Sequence, residues 1–130
     1  MKYFDSELAT VNYIEKCKTV EIIWKGAFVV SAKYREILTK ALEVIDKYKI
    51  TGWLSDMTLQ KIVTSEDKKW VDDVVIPHAF NHGLKKAAFI VPENVFAKLY
   101  AEKVRNSLET AGHKFMYFQS TEEAYKWLAD

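Results

Sequence analysis

Apolar residues follow two different periods along this chain, and the two periods alternate. Two short runs rich in β-branched residues, 10–14 and 19–24, flank the polar residues 15–18, and this arrangement predicts a β-hairpin. In the second run the residues Val20, Ile22 and Trp24 alternate with Glu21, Ile23 and Lys25. A period of two predicts that the first of these sets faces the core of the protein.

The next pattern has the spacing of a helix. Apolar residues recur three or four positions apart from Tyr34 to Tyr48, and lysines and glutamates lie mostly on the other side. Ser31 stands just before the first of these apolar positions and is a candidate N-cap. Together these features predict the first amphipathic helix.

The remainder of the chain repeats strand and helix. The patterns predict strands at 50–56, 87–91 and 114–119, and helices at about 66–82, 94–112 and 120–128. Ser120 and Glu123 have the spacing of a capping box, which predicts that Ser120 caps the last of these helices. Strands that alternate with helices of this length need crossover connections, and crossovers produce parallel pairing. The sequence therefore predicts one α/β domain over residues 1–130, with a mixed, mostly parallel sheet of about five strands and four helices.

Composition and charge exclude several classes of protein. The chain of 130 residues is 49% hydrophobic and has a formal net charge of +1 without a long run of one sign, so we expect one core and no nucleic-acid partner. It contains no apolar stretch long enough for a membrane span and no apolar leader at its start. The lone Cys17 cannot form an intramolecular disulfide and fits a reducing, cytoplasmic compartment.

Motifs for catalysis or cofactor binding are sparse. The chain has only 4 Gly, and it contains no phosphate-binding glycine loop, no nucleophile elbow and no Cys-x-x-Cys. His78 and His82 stand four apart and share a helix face, as paired metal ligands do, but spacing fixes no third ligand and Pro77 can bend the helix. The sequence therefore favours a protein without a metal, a cofactor or catalytic activity.

Several local features coincide with those of a known family. They are Trp24-Lys25-Gly26 after the second strand, Trp53-Leu54-Ser55-Asp56 at the end of the next, Ser65-Glu66-Asp67 with Trp70 in a helix that contains Pro77, and Phe118 before Glu123-Ala124-Tyr125-Lys126-Trp127-Leu128. In these features and in the order of its elements, most of the chain resembles the SpoIIAA-like (STAS/SEC14-related) domains of bacteria. The resemblance implies a STAS-type fold and a small regulatory or ligand-binding module, because STAS domains include anti-sigma-factor antagonists and nucleotide- or lipid-associated modules.

The resemblance also implies a candidate surface. In the anti-sigma-factor antagonists a strand ends in an Asp-aliphatic-Ser turn and a phosphorylatable Ser begins the next helix, and the matching residues here are Asp56, Thr58 and Ser65. Asp56 is either a turn-former or a contact residue, since ligands of α/β sheets gather beyond the carboxyl ends of strands.

A phosphorylation switch at Ser65 is disfavoured by the residues that follow it. The acids Glu66 and Asp67 replace the Ser-Gly of the family and would repel a phosphate in the same turn. The same acids complement the positive end of a helix dipole. The sequence therefore predicts that Thr64 or Ser65 is a helix cap.

The aromatic content of 14% offers a second candidate site. Most of these rings are expected in the core. Trp70, Phe80, Phe96 and Tyr100 are instead predicted to line a groove between the second and third helices, where an apolar ligand or a partner chain would fit.

Two functions therefore compete. The first is a non-enzymatic regulatory or protein-interaction module that acts through Asp56, Thr58 and Ser65. The alternative is a carrier or sensor of a small apolar or lipid-like ligand. The sequence favours both of these functions over an enzyme of unknown reaction. The free edge of the hairpin also predicts pairing with a second copy, as a homodimer.

Overall fold

Six strands form one mixed sheet in a computed structural model that describes residues 1–26, 30–59, 64–92 and 114–129. The strands are β1 (Lys2–Asp5), β2 (Ala9–Ile14), β3 (Thr19–Trp24), β4 (Gly52–Asp56), β5 (Lys86–Ile90) and β6 (Lys114–Phe118), and they lie in the sheet in chain order. Pairing is antiparallel from β1 to β3 and parallel from β3 to β6. The predicted α/β class and mixed, mostly parallel sheet are confirmed.

The sequence missed β1, so the sheet has six strands rather than about five. β1 is only four residues long, and neither of its faces is fully buried, which is why no alternation marks it. It pairs with β2, so the hairpin edge at which we expect a second copy to pair is occupied by the same chain. The homodimer itself stays a prediction.

The first helix, α1 (Ser31–Tyr48), buries the predicted stripe of apolar side chains. The predicted cap at Ser31 is wrong. Val30 occupies the N-cap position with an extended backbone, and Ser31 is the first helical residue. Its hydroxyl is directed to another helix instead, where it donates a hydrogen bond to Asp67 at 2.8 Å.

The second predicted helix is a continuous stretch of three parts. These are α2 (Ser65–Trp70), a π-helical segment (Val71–Val75) and α3 (Ile76–Asn81). Proline lacks an N–H and clashes with the carbonyl four residues before it in an α-helix, so Pro77 accounts for the wider turn that precedes it. Within that turn Ile76 N–H donates to Val71 O. The predicted helix at 94–112 lies outside the described residues.

Helices cover both faces of the parallel part of the sheet. On one face α1 and α3 pack on alternate residues of β2, β3 and β4, including Val20, Ile22 and Trp53. On the other face α4 (Thr121–Ala129) packs on Leu54 and Ala88. Four of the five residues of β4 are consequently buried, as expected of a central parallel strand.

At Gly52 the helix α4 packs tightly on the sheet. A Cβ at this position would lie 2.6 Å from Thr19 Oγ1 and 3.2 Å from Leu128 Cδ2. The predicted cap of α4 is confirmed, since Ser120 Oγ accepts a hydrogen bond from Glu123 N–H at 3.2 Å. No helix among the described residues combines the length and the apolarity needed to cross a bilayer.

Candidate functional site

The carboxyl ends of the parallel strands meet at one edge of the sheet, which we call the carboxyl edge. Asp56 ends β4 there, beside Ile23 of β3 and Ile90 of β5. Asp56 Oδ1 accepts a hydrogen bond from Thr58 N–H at 3.1 Å, and Met57 N–H donates to Ile90 O at 2.8 Å. Asp56 therefore forms a turn of the Asx type, which holds the exposed Thr58 in a fixed position.

Two large aliphatic side chains project into solvent from the loops of the carboxyl edge. Leu59 is 61% exposed after the Asp56 turn, and Val30 is 54% exposed just before α1. The Asp56 turn lies close to the end of β3, since a Cβ on Gly26 would lie 4.0 Å from Leu59 O. The carboxyl edge thus combines an ordered polar turn with exposed apolar groups.

The first turn of α2 begins at the same edge, and Thr64 is its cap. Thr64 Oγ1 accepts a hydrogen bond from Asp67 N–H at 3.2 Å. Of the two predicted caps, Thr64 is thus the correct one. Ser65 is the first helical residue and its side chain is exposed.

Asp67 does more than interact with the dipole of its helix, which is the role that its position predicts. Its side chain is buried, and its Oδ1 accepts hydrogen bonds from Ser31 Oγ at 2.8 Å and Arg35 Nε at 2.9 Å. The guanidinium of Arg35 also lies 4.9 Å from the centre of the Trp70 ring. These contacts join the start of α1 to the start of α2. A sequence signal was present, because Asp67 falls on the apolar stripe of its helix together with Trp70 and Val71.

Opposing effects set the charge state of this network. Burial raises the pKa of Asp67, but hydrogen bonds from Arg35 and Ser31 and the charge of Arg35 outweigh it, so the pKa lies below its usual range. Burial, together with the negative charge of Asp67, raises the pKa of Tyr34 to about 12. At neutral pH the network therefore pairs a carboxylate with a guanidinium, and Tyr34 near it is a neutral phenol.

A small apolar pocket lies between the α2–α3 stretch and the sheet. It has a volume of about 50 Å³. Its lining is entirely apolar and consists of Trp53, Val71, Val75, Ile76, Ala79, Phe80, Leu84, Ala87 and Phe89. Of the four aromatic residues predicted to line a groove, Phe80 lies in this lining. Trp70 contacts Arg35 instead, and Phe96 and Tyr100 lie outside the described residues.

A carboxylate that sequence spacing could not identify lies beside His78 of α3 and His82, the C-cap of α3. Asp46, near the end of α1, has its oxygens 3.3 and 3.4 Å from His78 Nε2. The rings of His78 and His82 stack with their centroids 4.0 Å apart. Asp46, His78 and His82, which we call the histidine cluster, offer three potential ligand atoms within 4.8 Å of one another.

Against protein-family models, curated proteins and solved structures alike, the chain finds no match. The α/β class and the order of the strands follow from the structure itself. The resemblance to SpoIIAA-like domains stays a prediction from the residues that carry it.

Proposed function

We propose that this protein is a non-enzymatic regulatory module that binds a protein partner at its carboxyl edge. The observation that carries the proposal is the exposure of Leu59 and Val30 on the loops of the carboxyl edge, which also holds the Asp56 turn. An apolar centre with a polar surround is the usual composition of a protein interface. Burial of these side chains against a partner would be favourable by roughly 25 cal/mol per Å² of apolar surface.

The ordered turn supports the same proposal. The carboxylate of Asp56 is already engaged by Thr58 N–H, so it holds the backbone of the turn in place. A surface that is ordered before binding loses less conformational entropy when the partner arrives. Thr58 and Ser65 are exposed at this edge and would lie in the polar surround of the interface. In this proposal Ser65 is a contact residue rather than a phosphoacceptor.

Site-specific photo-crosslinking in the native host tests the proposal. A photoreactive residue at position 59 should give one discrete adduct with a protein partner. The matched control is position 74, where Val74 is also an exposed aliphatic residue, 46% exposed, but lies on the π-helical segment. Leu59→Ser should then weaken binding to the identified partner while leaving thermal stability unchanged, because the side chain is largely in water already. Equal adducts at both positions would contradict the proposal.

The apolar pocket supports a second candidate function, the carrier or sensor of a small apolar ligand. The pocket borders the π-helical segment through Val71 and Val75, and such segments occur frequently at functional sites. Its volume of about 50 Å³ is well below the roughly 150 Å³ of an engineered apolar cavity that binds benzene. It would therefore accept a few apolar atoms, such as the end of an acyl chain.

Native mass spectrometry of protein purified from its own host tests the second candidate. A bound ligand would appear as a defined added mass that is lost in Ala79→Leu, a change that fills the pocket. The control is Ala32→Leu, an exposed position on α1 that should retain the added mass. Absence of any added mass in the wild type would leave the interaction module as the better function.

A further inference from the structure

Asp46 and His78 have the separation of two ligands of one metal ion rather than that of a close ion pair. The oxygens of Asp46 lie 3.3 and 3.4 Å from His78 Nε2, which is long for a charge-assisted hydrogen bond of about 2.8 Å. Two ligands on a tetrahedral ion with bonds of about 2.05 Å are about 3.3 Å apart. The carboxylate and the imidazole therefore already have the spacing of two ligands of one ion.

A hydrogen bond holds the neutral ring of His82 in the tautomer that a metal ligand at Nε2 requires. Its Nδ1 lies 2.8 Å from the carbonyl oxygen of His78. A carbonyl only accepts hydrogen bonds, so Nδ1 of His82 must carry the proton, and in the neutral ring Nε2 then has a free lone pair. Metal-binding histidines commonly donate their second N–H to a backbone carbonyl in this way, which fixes the tautomer and the ring orientation.

We propose that Asp46, His78 and His82 bind a divalent transition metal ion, with Zn²⁺ as the ion that fits best. Two imidazoles and one carboxylate are a donor set that Zn²⁺ accepts, with a fourth position left open. Asp46 and His82 are exposed and His78 is partly exposed, so the ion has a direct path from solvent. The three ligand atoms lie within 4.8 Å of one another, and rotation of the Asp46 and His78 side chains toward His82 would close the remaining distance.

The ion would join α1 to α3, two elements that β4 and α2 separate in the chain. Asp46 belongs to α1, and the histidines belong to α3 and its C-cap. On the far side of α3, Ile76, Ala79 and Phe80 line the apolar pocket. Metal binding would therefore fix the helix that forms one wall of the pocket. This inference does not depend on the proposed partner surface, which lies at the carboxyl edge.

Calorimetric titration of the metal-free protein with Zn²⁺ tests the proposal. We expect a stoichiometry of one ion per chain. Because loss of a residue that merely supports a ligand costs about 10- to 100-fold in metal affinity, His82→Ala and Asp46→Asn should each weaken binding by at least about tenfold. Both positions are exposed, so these variants should fold, and circular dichroism checks that they do.

Two further variants serve as matched controls. Cys17→Ser removes the only thiol of the chain, and His113→Ala removes its third histidine. Both should bind Zn²⁺ like the wild type. NMR of the histidine rings should show that the ion shifts Nε2 of His78 and His82 but not the ring nitrogens of His113. Absence of binding, binding that survives His82→Ala, binding lost in Cys17→Ser, or equal shifts in all three rings would each overturn the proposal.

Discussion

Removal of the exposed partner of the Arg35–Asp67 pair should destabilise the protein more than removal of the buried partner. The side chain of Arg35 is 41% exposed, whereas that of Asp67 is 1% exposed. If Asp67 is neutralised, water can hydrate the guanidinium that remains. If Arg35 is neutralised, the carboxylate that remains is buried, and among the described residues its Oδ2 has no hydrogen-bond partner.

The structure sets the size of the two effects. Removing the partner of a buried charge costs about 3–5 kcal/mol. Arg35→Gln should fall near 3 kcal/mol, since Ser31 still donates a hydrogen bond to the carboxylate. Asp67→Asn keeps an oxygen that accepts from Ser31 and loses the charged part of the bond to Arg35, so we expect a loss of about 1–2 kcal/mol. Both values are large beside a total stability of about 5–15 kcal/mol.

The pH dependence follows from the direction of the pKa shift. In the wild type the pKa of Asp67 is lowered from its usual value of 3.8, so the Arg35–Asp67 pair stabilises the fold above pH 3.8. The stabilisation by this pair disappears as the pH falls through the pKa of Asp67 in the folded state. In Arg35→Gln the effect of burial, which raises the pKa, is opposed mainly by Ser31. The carboxylate then destabilises the fold at neutral pH, and protonation relieves this as pH falls toward about 4. The stability gap between variant and wild type should therefore narrow on acidification.

Urea unfolding followed by circular dichroism at pH 7 and pH 4.5 measures both effects. Lys40→Gln is the matched control, because Lys40 pairs with Glu43 on the same helix but both side chains are substantially exposed, at 33% and 45%. That variant should change stability by at most about 1 kcal/mol at either pH. A larger loss in Asp67→Asn than in Arg35→Gln, or a gap that does not change with pH, would refute the reasoning.

Three further predictions concern single contacts. Thr64→Ala should lower the free energy of unfolding by about 1 kcal/mol, whereas Ser65→Ala should change it by at most about 0.5 kcal/mol. Equal losses for the two variants in urea titrations would contradict Thr64 as the cap. Ser55→Ala should lower the free energy of thermal unfolding by about 1–3 kcal/mol, because the indole N–H of Trp24 loses its buried acceptor at 2.9 Å. An unchanged melting temperature would show that this hydrogen bond contributes little to stability. Gly52→Ala should lower the free energy of unfolding, measured by calorimetry, by about 1–3 kcal/mol, because its Cβ would lie 2.6 Å from a hydroxyl oxygen of the neighbouring strand. A variant that is more stable than the wild type would contradict this steric clash.

The sequence predicted those parts of the fold in which one short segment carries its own signal. The hairpin is an example, since Val20, Ile22 and Trp24 are buried as their alternation predicts. The stripe of α1 and the cap at Ser120 are others. Periodicity reports which face of an element is buried, so it succeeds where burial alone decides the structure.

The parts that could not be predicted depend on pairs of residues far apart in the chain. Arg35 and Asp67 are 32 positions apart, and so are Asp46 and His78. Period and spacing describe one element at a time and do not say which charged residue of one helix meets which of another. This is why the pattern predicts a cap at Ser31 and why spacing fixes no third ligand beside the histidines. The π-helical turn before Pro77 could be predicted only in part, because a proline predicts a bend in a helix but not that the bend is a π-helical turn.

The π-helical segment also has a consequence for how this protein can vary in evolution. A turn with hydrogen bonds five residues apart holds one residue more than an α-helical turn. A one-codon deletion within Val71–Val75, together with replacement of Pro77, would therefore restore a regular α-helix. Because the wider turn absorbs its extra residue, the residues on either side of it would keep the faces that they have now. Asp67 would still meet Arg35, and His78 would still face Asp46. Lineages with the shorter helix can therefore retain both the ion pair and the histidine cluster, so that this helix can gain or lose one residue without the loss of either contact.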